Sequence, residues 1–401
     1  MKIIKTPPKA SWLTCVGALL IIIGTTIGGG MLALPVTTST AGYLPSVGML
    51  FIIWFFMSVG AWFILKVNAK FPLGTHVISM SKETLGNTGM WITLFLYVFL
   101  LYSLISAYFS AGIDLVQALA SFEHLFLNHV AALAIFAGIF CTIVIFGIRT
   151  IDIANRLIMT LKIGSFIAMA ITAASFVNAK LLWTAGGVPN ATATMSIITA
   201  FGFSILIPSI RRMIPNIKQL ELVLWIGSAV PLICYIIWET LIFGIIPREG
   251  SLGLEHLALL PNPIDHIMLS ISQFTQATSV IFTSKIFTSV CVITAFLGVS
   301  LSLSDGINDL LNPSHREVQR FKKRWVHLLT FLPPIIFVLF LPQVFVAGIS
   351  LAGIICVILL MMIPALMMYR ITSSKTAKVW IGLYIFASAG FLVISVKAFS
   401  L

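Results

Sequence analysis

The sequence predicts an all-α polytopic membrane protein, and three observations carry that reading. Of 401 residues, 59% are hydrophobic and 9% charged, where soluble domains run at about 45–50% and about 25%. Long stretches hold no Asp, Glu, Lys or Arg, the first from residue 10 to residue 65. The charges between such stretches recur at spacings that leave the roughly 20 apolar residues a membrane-crossing helix needs. Ten-residue strands alternating apolar and polar are missing, which excludes an outer-membrane barrel.

Eleven spans follow from the charge map. Span 1, 12–38, opens after Lys2, Lys5 and Lys9. It reads as an uncleaved span, because Ala-x-Ala cleavage chemistry is missing and ten more spans follow. Span 2, 43–68, closes on Lys66 and Lys70. Segment 75–86 is too short and polar to cross and reads as an amphipathic turn before span 3, 88–120. Span 4, 129–148, and span 5, 152–177, are separated by Arg149. Span 6, 193–216, ends on Arg211 and Arg212, and span 7, 219–246, opens after Lys218. Segment 249–275, with Glu249, Glu255 and Asp265, is the one large loop on its side. Span 8, 280–310, carries Asp305 and Asp309 on one face, expected to pair with the basic run 316–324. Spans 9, 10 and 11 are 326–342, 344–370 and 378–399.

With the N-terminus in the cytoplasm, 20 of the 24 Lys and Arg fall on the inside. That is a strong positive-inside signal and puts the C-terminus in the periplasm. It also explains the net charge of +12 without nucleic acid, for which a basic stripe is lacking. The five cysteines lie in apolar runs without a C-x-x-C pair, so neither a disulfide framework nor a zinc site is expected. No cofactor or metal is expected. An enzyme would need a His/Asp/Glu cluster, a channel a pore motif, and an ATP-driven pump a G-x-x-x-x-G-K-[ST] loop; none is present.

Two spans contain helix-breaking runs. Span 1 reads Gly24-Thr25-Thr26-Ile27-Gly28-Gly29-Gly30-Met31-Leu32-Ala33-Leu34-Pro35. Each glycine costs about 1 kcal/mol in a helix relative to alanine, so three in succession suit an unwound stretch better than close helix packing. Span 6 reads Ala200-Phe201-Gly202-Phe203-Ser204-Ile205-Leu206-Ile207-Pro208-Ser209. Paired Gly/Pro-interrupted helices in corresponding halves point to an inverted-repeat secondary transporter. The expected repeats are 11–177 and 193–370, with 378–399 appended.

These motifs resemble the hydroxy/aromatic amino acid permeases of the amino acid/polyamine/organocation superfamily, and most the bacterial tyrosine/tryptophan-specific permeases. The resemblance runs in order along nearly the whole chain. It includes the Gly24–Pro35 run, Ala107-Tyr108, Asn155-Arg156 with Lys162, Gly202-Phe203 with Pro208-Ser209-Ile210, Gly227-Ser228-Ala229-Val230-Pro231, Phe296-Leu297-Gly298-Val299 with Asp305, and Thr330-Phe331-Leu332-Pro333-Pro334. It implies a LeuT-type 5+5 inverted repeat and proton-coupled import of an aromatic amino acid, tyrosine first, across the bacterial inner membrane. Tryptophan, phenylalanine and serine/threonine stay open as alternative substrates. The tyrosine and tryptophan permeases carry a His directly after the Gly-Phe of span 6; here Ser204 stands in that place.

A zwitterion needs donors for its carboxylate and acceptors for its ammonium, and unwound backbone supplies both. The candidates for substrate binding are Thr25, Thr26, Ile27, Gly28, Gly29 and Gly30 in span 1, Phe201, Gly202, Phe203 and Ser204 in span 6, and Tyr108 in span 3. Tyr102, six residues away, reads as packing. Lys162 lies about two turns past Asn155-Arg156, deeper than a snorkelling lysine needs to be. It is the candidate for proton coupling, replacing the sodium ion that related carriers hold at the span 1 break. Asp114 and Glu239, ionisable groups within spans 3 and 7, are candidate gates. The expected partners are an amino acid, a proton and the lipid bilayer.

Overall fold

Inside a bilayer the backbone has no water to bond, so each crossing segment must satisfy its own N–H and C=O groups, and a helix does so. The computed structural model describes residues 9–122, 125–146, 148–184, 186–260, 263–311, 320–341 and 345–399. Each of the eleven expected segments is helical. Span 1 is Trp12–Thr26 followed by Gly29–Thr37, bent by 45° at the junction. Span 2 is Tyr43–Asn68, span 4 His129–Phe146 and span 5 Ile148–Ala174. Span 6 is Ala191–Ala200, a 3-10 turn Gly202–Leu206 and Ile207–Met213. Span 7 is Ile217–Ile245, span 8 Thr278–Leu311, span 9 Arg320–Phe340 and span 11 Lys375–Phe399.

Local sequence sets several of the ends. Ser11, Asn190 and Asn216 cap spans 1, 6 and 7, each side chain accepting a first-turn N–H. Among the described residues, seven helices are long and apolar enough to cross a bilayer, and the bent pair of span 1 makes an eighth. The described apolar parts of spans 4, 5 and 9 are shorter.

Three features differ from the sequence reading. Span 3 begins at Val77, because the segment expected as a turn is itself helical. It folds back at Gly86, whose φ of 81° is the left-handed region that glycine adopts freely. The fold-back lets Thr93 Oγ1 donate to Ser81 Oγ at 2.8 Å. The loop after span 7 holds a second amphipathic helix, Pro263–Thr275, with Ile267 and Ile271 buried. Span 10 is Phe345–Cys356, a π-helical stretch Val357–Met362 and Ile363–Ile371. The side chains of Asp305, Asp309 and residues 316–324, and so their expected pairing, lie outside the described part.

Packing follows an i-to-i+5 relation between spans. Span 5 lies along span 8 as span 10 lies along span 3. Span 1 packs on span 7 as span 6 packs on span 2, and span 4 flanks span 8 as span 9 flanks span 3. Spans 1 and 6 meet each other in the interior. This is the packing of a 5+5 inverted repeat, with both interrupted helices at its centre.

Candidate functional site

The break in span 1 starts after Thr26. Ile27 turns to ψ 91° and Gly28 is fully extended, at φ −147° and ψ −158°, before the second half-helix begins at Gly29. The first N–H groups of a helix have no acceptor within it. Those of Gly29 and Gly30 sit at the positive end of the half-helix dipole, where a carboxylate is favoured. Thr25 is still inside the first half-helix and exposed, its hydroxyl donating to Ile21 O at 2.8 Å. The Thr26 hydroxyl likewise donates to Ile22 O at 2.6 Å, so Thr26 faces the break with its carbonyl alone.

Two side chains take the carbonyls that the break releases. Lys162, 1% exposed, donates from Nζ to Gly24 O at 3.0 Å and to Ile27 O at 2.6 Å. Tyr235 of span 7 places its hydroxyl 2.6 Å from Thr26 O and 2.8 Å from Ala200 O. One hydroxyl carries one proton, so Tyr235 ties the two interrupted spans together through a shared donor. The sequence reading missed Tyr235. The available signal was a tyrosine inside an apolar run, four residues before Glu239 and so on the same helix face.

The span 6 break is tighter than the open stretch expected at Gly202–Ser204. Only Phe201 leaves the helix, at φ −96° and ψ 24°, and a 3-10 turn follows. Phe201 and Phe203 are buried, and the Phe201 ring packs on Tyr235 at 5.0 Å. Ser204 Oγ is buried and has no hydrogen-bond partner among the described residues. The breaks face each other: a Cβ built on Gly30 would stand 3.3 Å from Ala200 Cα. Tyr108 closes the span 3 side, where a Cβ on Gly29 would meet its ring at 2.5 Å. From span 8, Ala295 Cβ lies 3.3 Å from the equivalent point on Gly28.

The two gate candidates lie apart from each other. Glu239 is fully buried one turn beyond Tyr235, with its carboxylate 3.1 and 3.3 Å from Thr38 Oγ1. Thr38 follows directly on Gly29–Thr37, so span 7 touches span 1 both at its break and at its end. Asp114 instead lines a cavity of about 310 Å³ between spans 3 and 8 and the helix Pro263–Thr275. That cavity begins one turn from Tyr108 and from Ala295, and none of the break residues lines it.

A bundle of paired repeats whose first and sixth helices break against each other is the LeuT-type architecture. Solved structures agree on that fold: the chain aligns with MhsT, crystallised with L-phenylalanine, at a TM-score of 0.63 and 14% identity, covering 97% of this chain and 99% of that one. The profile of the Tryptophan/tyrosine permease family matches residues 13–396, and the chain belongs to that family, one of transporters rather than enzymes. It is 28% identical to tyrosine-specific transport system 1 of Haemophilus influenzae, over 92% of this chain and 91% of the relative. It is also 28% identical to a tryptophan-specific transport protein of Pseudomonas aeruginosa, over 90% and 87%. The chain is thus a multi-pass membrane protein whose family transports aromatic amino acids.

Proposed function

We propose that this protein is a proton-coupled symporter that imports an aromatic amino acid, with tyrosine the favoured substrate, across the bacterial inner membrane. The N-terminus is cytoplasmic and the C-terminus periplasmic, and the repeats run 11–177 and 193–370, with 378–399 appended. Relatives named for tyrosine and tryptophan support the substrate class, as does L-phenylalanine in a protein of the same fold. The substrate carboxylate binds the N–H groups at Gly28, Gly29 and Gly30. Its ammonium turns to the carbonyls around Phe201 and Gly202, and Tyr108, Phe203 and Ser204 border its side chain. Glu239 gates the outer half through Thr38.

The observation that carries proton coupling is the contact of Lys162 Nζ with Gly24 O and Ile27 O. A buried ammonium is tolerated where charge-assisted hydrogen bonds hold it. Here it occupies the place in which a metal cation would neutralise the same carbonyls. Loss of its proton removes the charge and slackens the hold on the break, and regaining the proton restores it, so protonation and the shape of span 1 are linked. The test uses purified protein in liposomes, labelled tyrosine and an imposed inward proton gradient without sodium. Wild type should accumulate tyrosine, and Lys162→Ala should lose accumulation while still exchanging labelled for unlabelled substrate. Full proton-driven accumulation by Lys162→Ala overturns the coupling role, and no uptake of any amino acid overturns the reading as a whole.

A further inference from the structure

We propose that the cavity between spans 3 and 8 and the helix Pro263–Thr275 is a second, outer binding site for the zwitterionic amino acid, loaded before the substrate reaches the broken helices. This inference rests on the transport reading. The volume of about 310 Å³ lies at the small end of the roughly 300–1,000 Å³ of small-molecule sites. Its lining contains one carboxylate, Asp114, and one ammonium, Lys285, on opposite helices. The rest is apolar or hydroxyl-bearing, with Leu115 and Met268 on one hand and Ser272 and Thr288 on the other. One anionic and one cationic group against an apolar wall is the complement of an α-ammonium, an α-carboxylate and a hydrophobic side chain.

Position argues the same way. On span 3 the lining begins at Ala111, one turn beyond Tyr108, whose ring closes on Gly29. On span 8 it begins at Val292, one turn before Ala295, which faces Gly28. The cavity therefore stacks on the breaks along both helices. At its other end Leu119 and Leu269 are each 58% exposed, which marks the mouth. In the proposed orientation that mouth faces the periplasm, the side from which substrate arrives. Asp114 and Lys285 already hold interactions within the protein, and the ammonium and carboxylate of a zwitterion would bring each of them an opposite charge.

The test is equilibrium binding of tritiated tyrosine to the full chain in nanodiscs, paired with uptake kinetics in liposomes. Wild type should bind two tyrosines per chain. Asp114→Asn and Lys285→Gln should each bind one, with the KM of uptake raised roughly tenfold, the loss of one charge-assisted contact, and kcat nearly kept. Ala118→Phe, which fills the cavity and keeps both Asp114 and Lys285, should do the same. The exchanged pair Asp114→Lys with Lys285→Asp distinguishes a merely structural ion pair: it should not restore KM, because the zwitterion would then bind turned around. One tyrosine per wild-type chain with uptake intact overturns this inference alone, as does a wild-type KM in the exchanged pair. Absence of any amino acid binding and uptake by wild type overturns it together with the transport reading.

Discussion

The break in span 1 and the break in span 6 occupy equivalent places in the two repeats, yet they are held differently. Span 1 opens: Ile27 and Gly28 leave the helix, the halves bend by 45°, and Lys162 takes two of the released carbonyls. Span 6 only tightens into a 3-10 turn. Its flank at Gly202 is formed by Cys356 and Leu360 of span 10, the repeat partner of span 5, at 3.9 and 4.0 Å from where a Cβ would stand. Span 10 brings no cation there; it has a π-helical stretch instead, a distortion frequent at functional sites. A symmetric scaffold thus carries an asymmetric site, and a single side chain places the charge on one repeat.

That contrast can be broken or sharpened by experiment. The largest effect is expected for Lys162→Ala, which removes a charge and two hydrogen bonds. Accumulation driven by a pH gradient should fall by at least about tenfold, since a hydrogen bond to a charged group contributes about 1.5–3 kcal/mol. Accumulation at the wild-type level would erase the asymmetry between the breaks.

Next comes a matched pair. Gly29→Ala pushes a methyl into the Tyr108 ring, an overpacking that costs roughly 1–3 kcal/mol, while Gly202→Ala meets only ordinary contacts. Tyrosine binding should weaken by about tenfold in the first and stay near wild type in the second; Gly29→Leu should abolish it. Equal losses at both glycines would mean that the two breaks approach their neighbours equally closely. Tyr235→Phe deletes the hydroxyl shared by Thr26 O and Ala200 O. An unsatisfied buried acceptor costs about 1–3 kcal/mol, so thermal stability and binding should both drop, by less than at Gly29. Unchanged melting and affinity would show that the two spans need no tie. The smallest effect is expected for Ser204→His, which should reorder competition among tyrosine, tryptophan and phenylalanine with little change in the total uptake rate. An unaltered competition profile would remove position 204 from the pocket.

Much of the architecture was legible in the sequence because the bilayer imposes a one-dimensional rule: apolar length and charge spacing mark a span. The glycines at 28–30 and at 202 located both breaks, since poor helix formers show themselves locally. Tyr235 was hidden because its role lies in reaching across to spans 1 and 6, and nothing in Cys234-Tyr235-Ile236 records that distance. The π-helical stretch Val357–Met362 went unread although it has a local mark: Val-Ile-Leu-Leu-Met-Met suits an ordinary α-helix, but Pro364 just after it has no N–H to give the Leu360 carbonyl and its ring crowds that carbonyl. Span 6 was expected to open as span 1 does, but with one glycine instead of three it closes into a 3-10 turn.

By itself the sequence determined the order of the apolar spans, where two of them must break, and that a lysine enters span 5 beyond its basic end. Composition and periodicity suffice for these, because each is a local response of the chain to lipid or to the absence of a side chain. The tertiary structure decided which groups meet. It brought Lys162 to carbonyls 135 and 138 residues away, joined Tyr235 to two helices at once, and gathered Asp114 and Lys285 around one cavity. Such contacts depend on how the two repeats pack against each other, and packing between helices distant in sequence leaves no periodic trace in either.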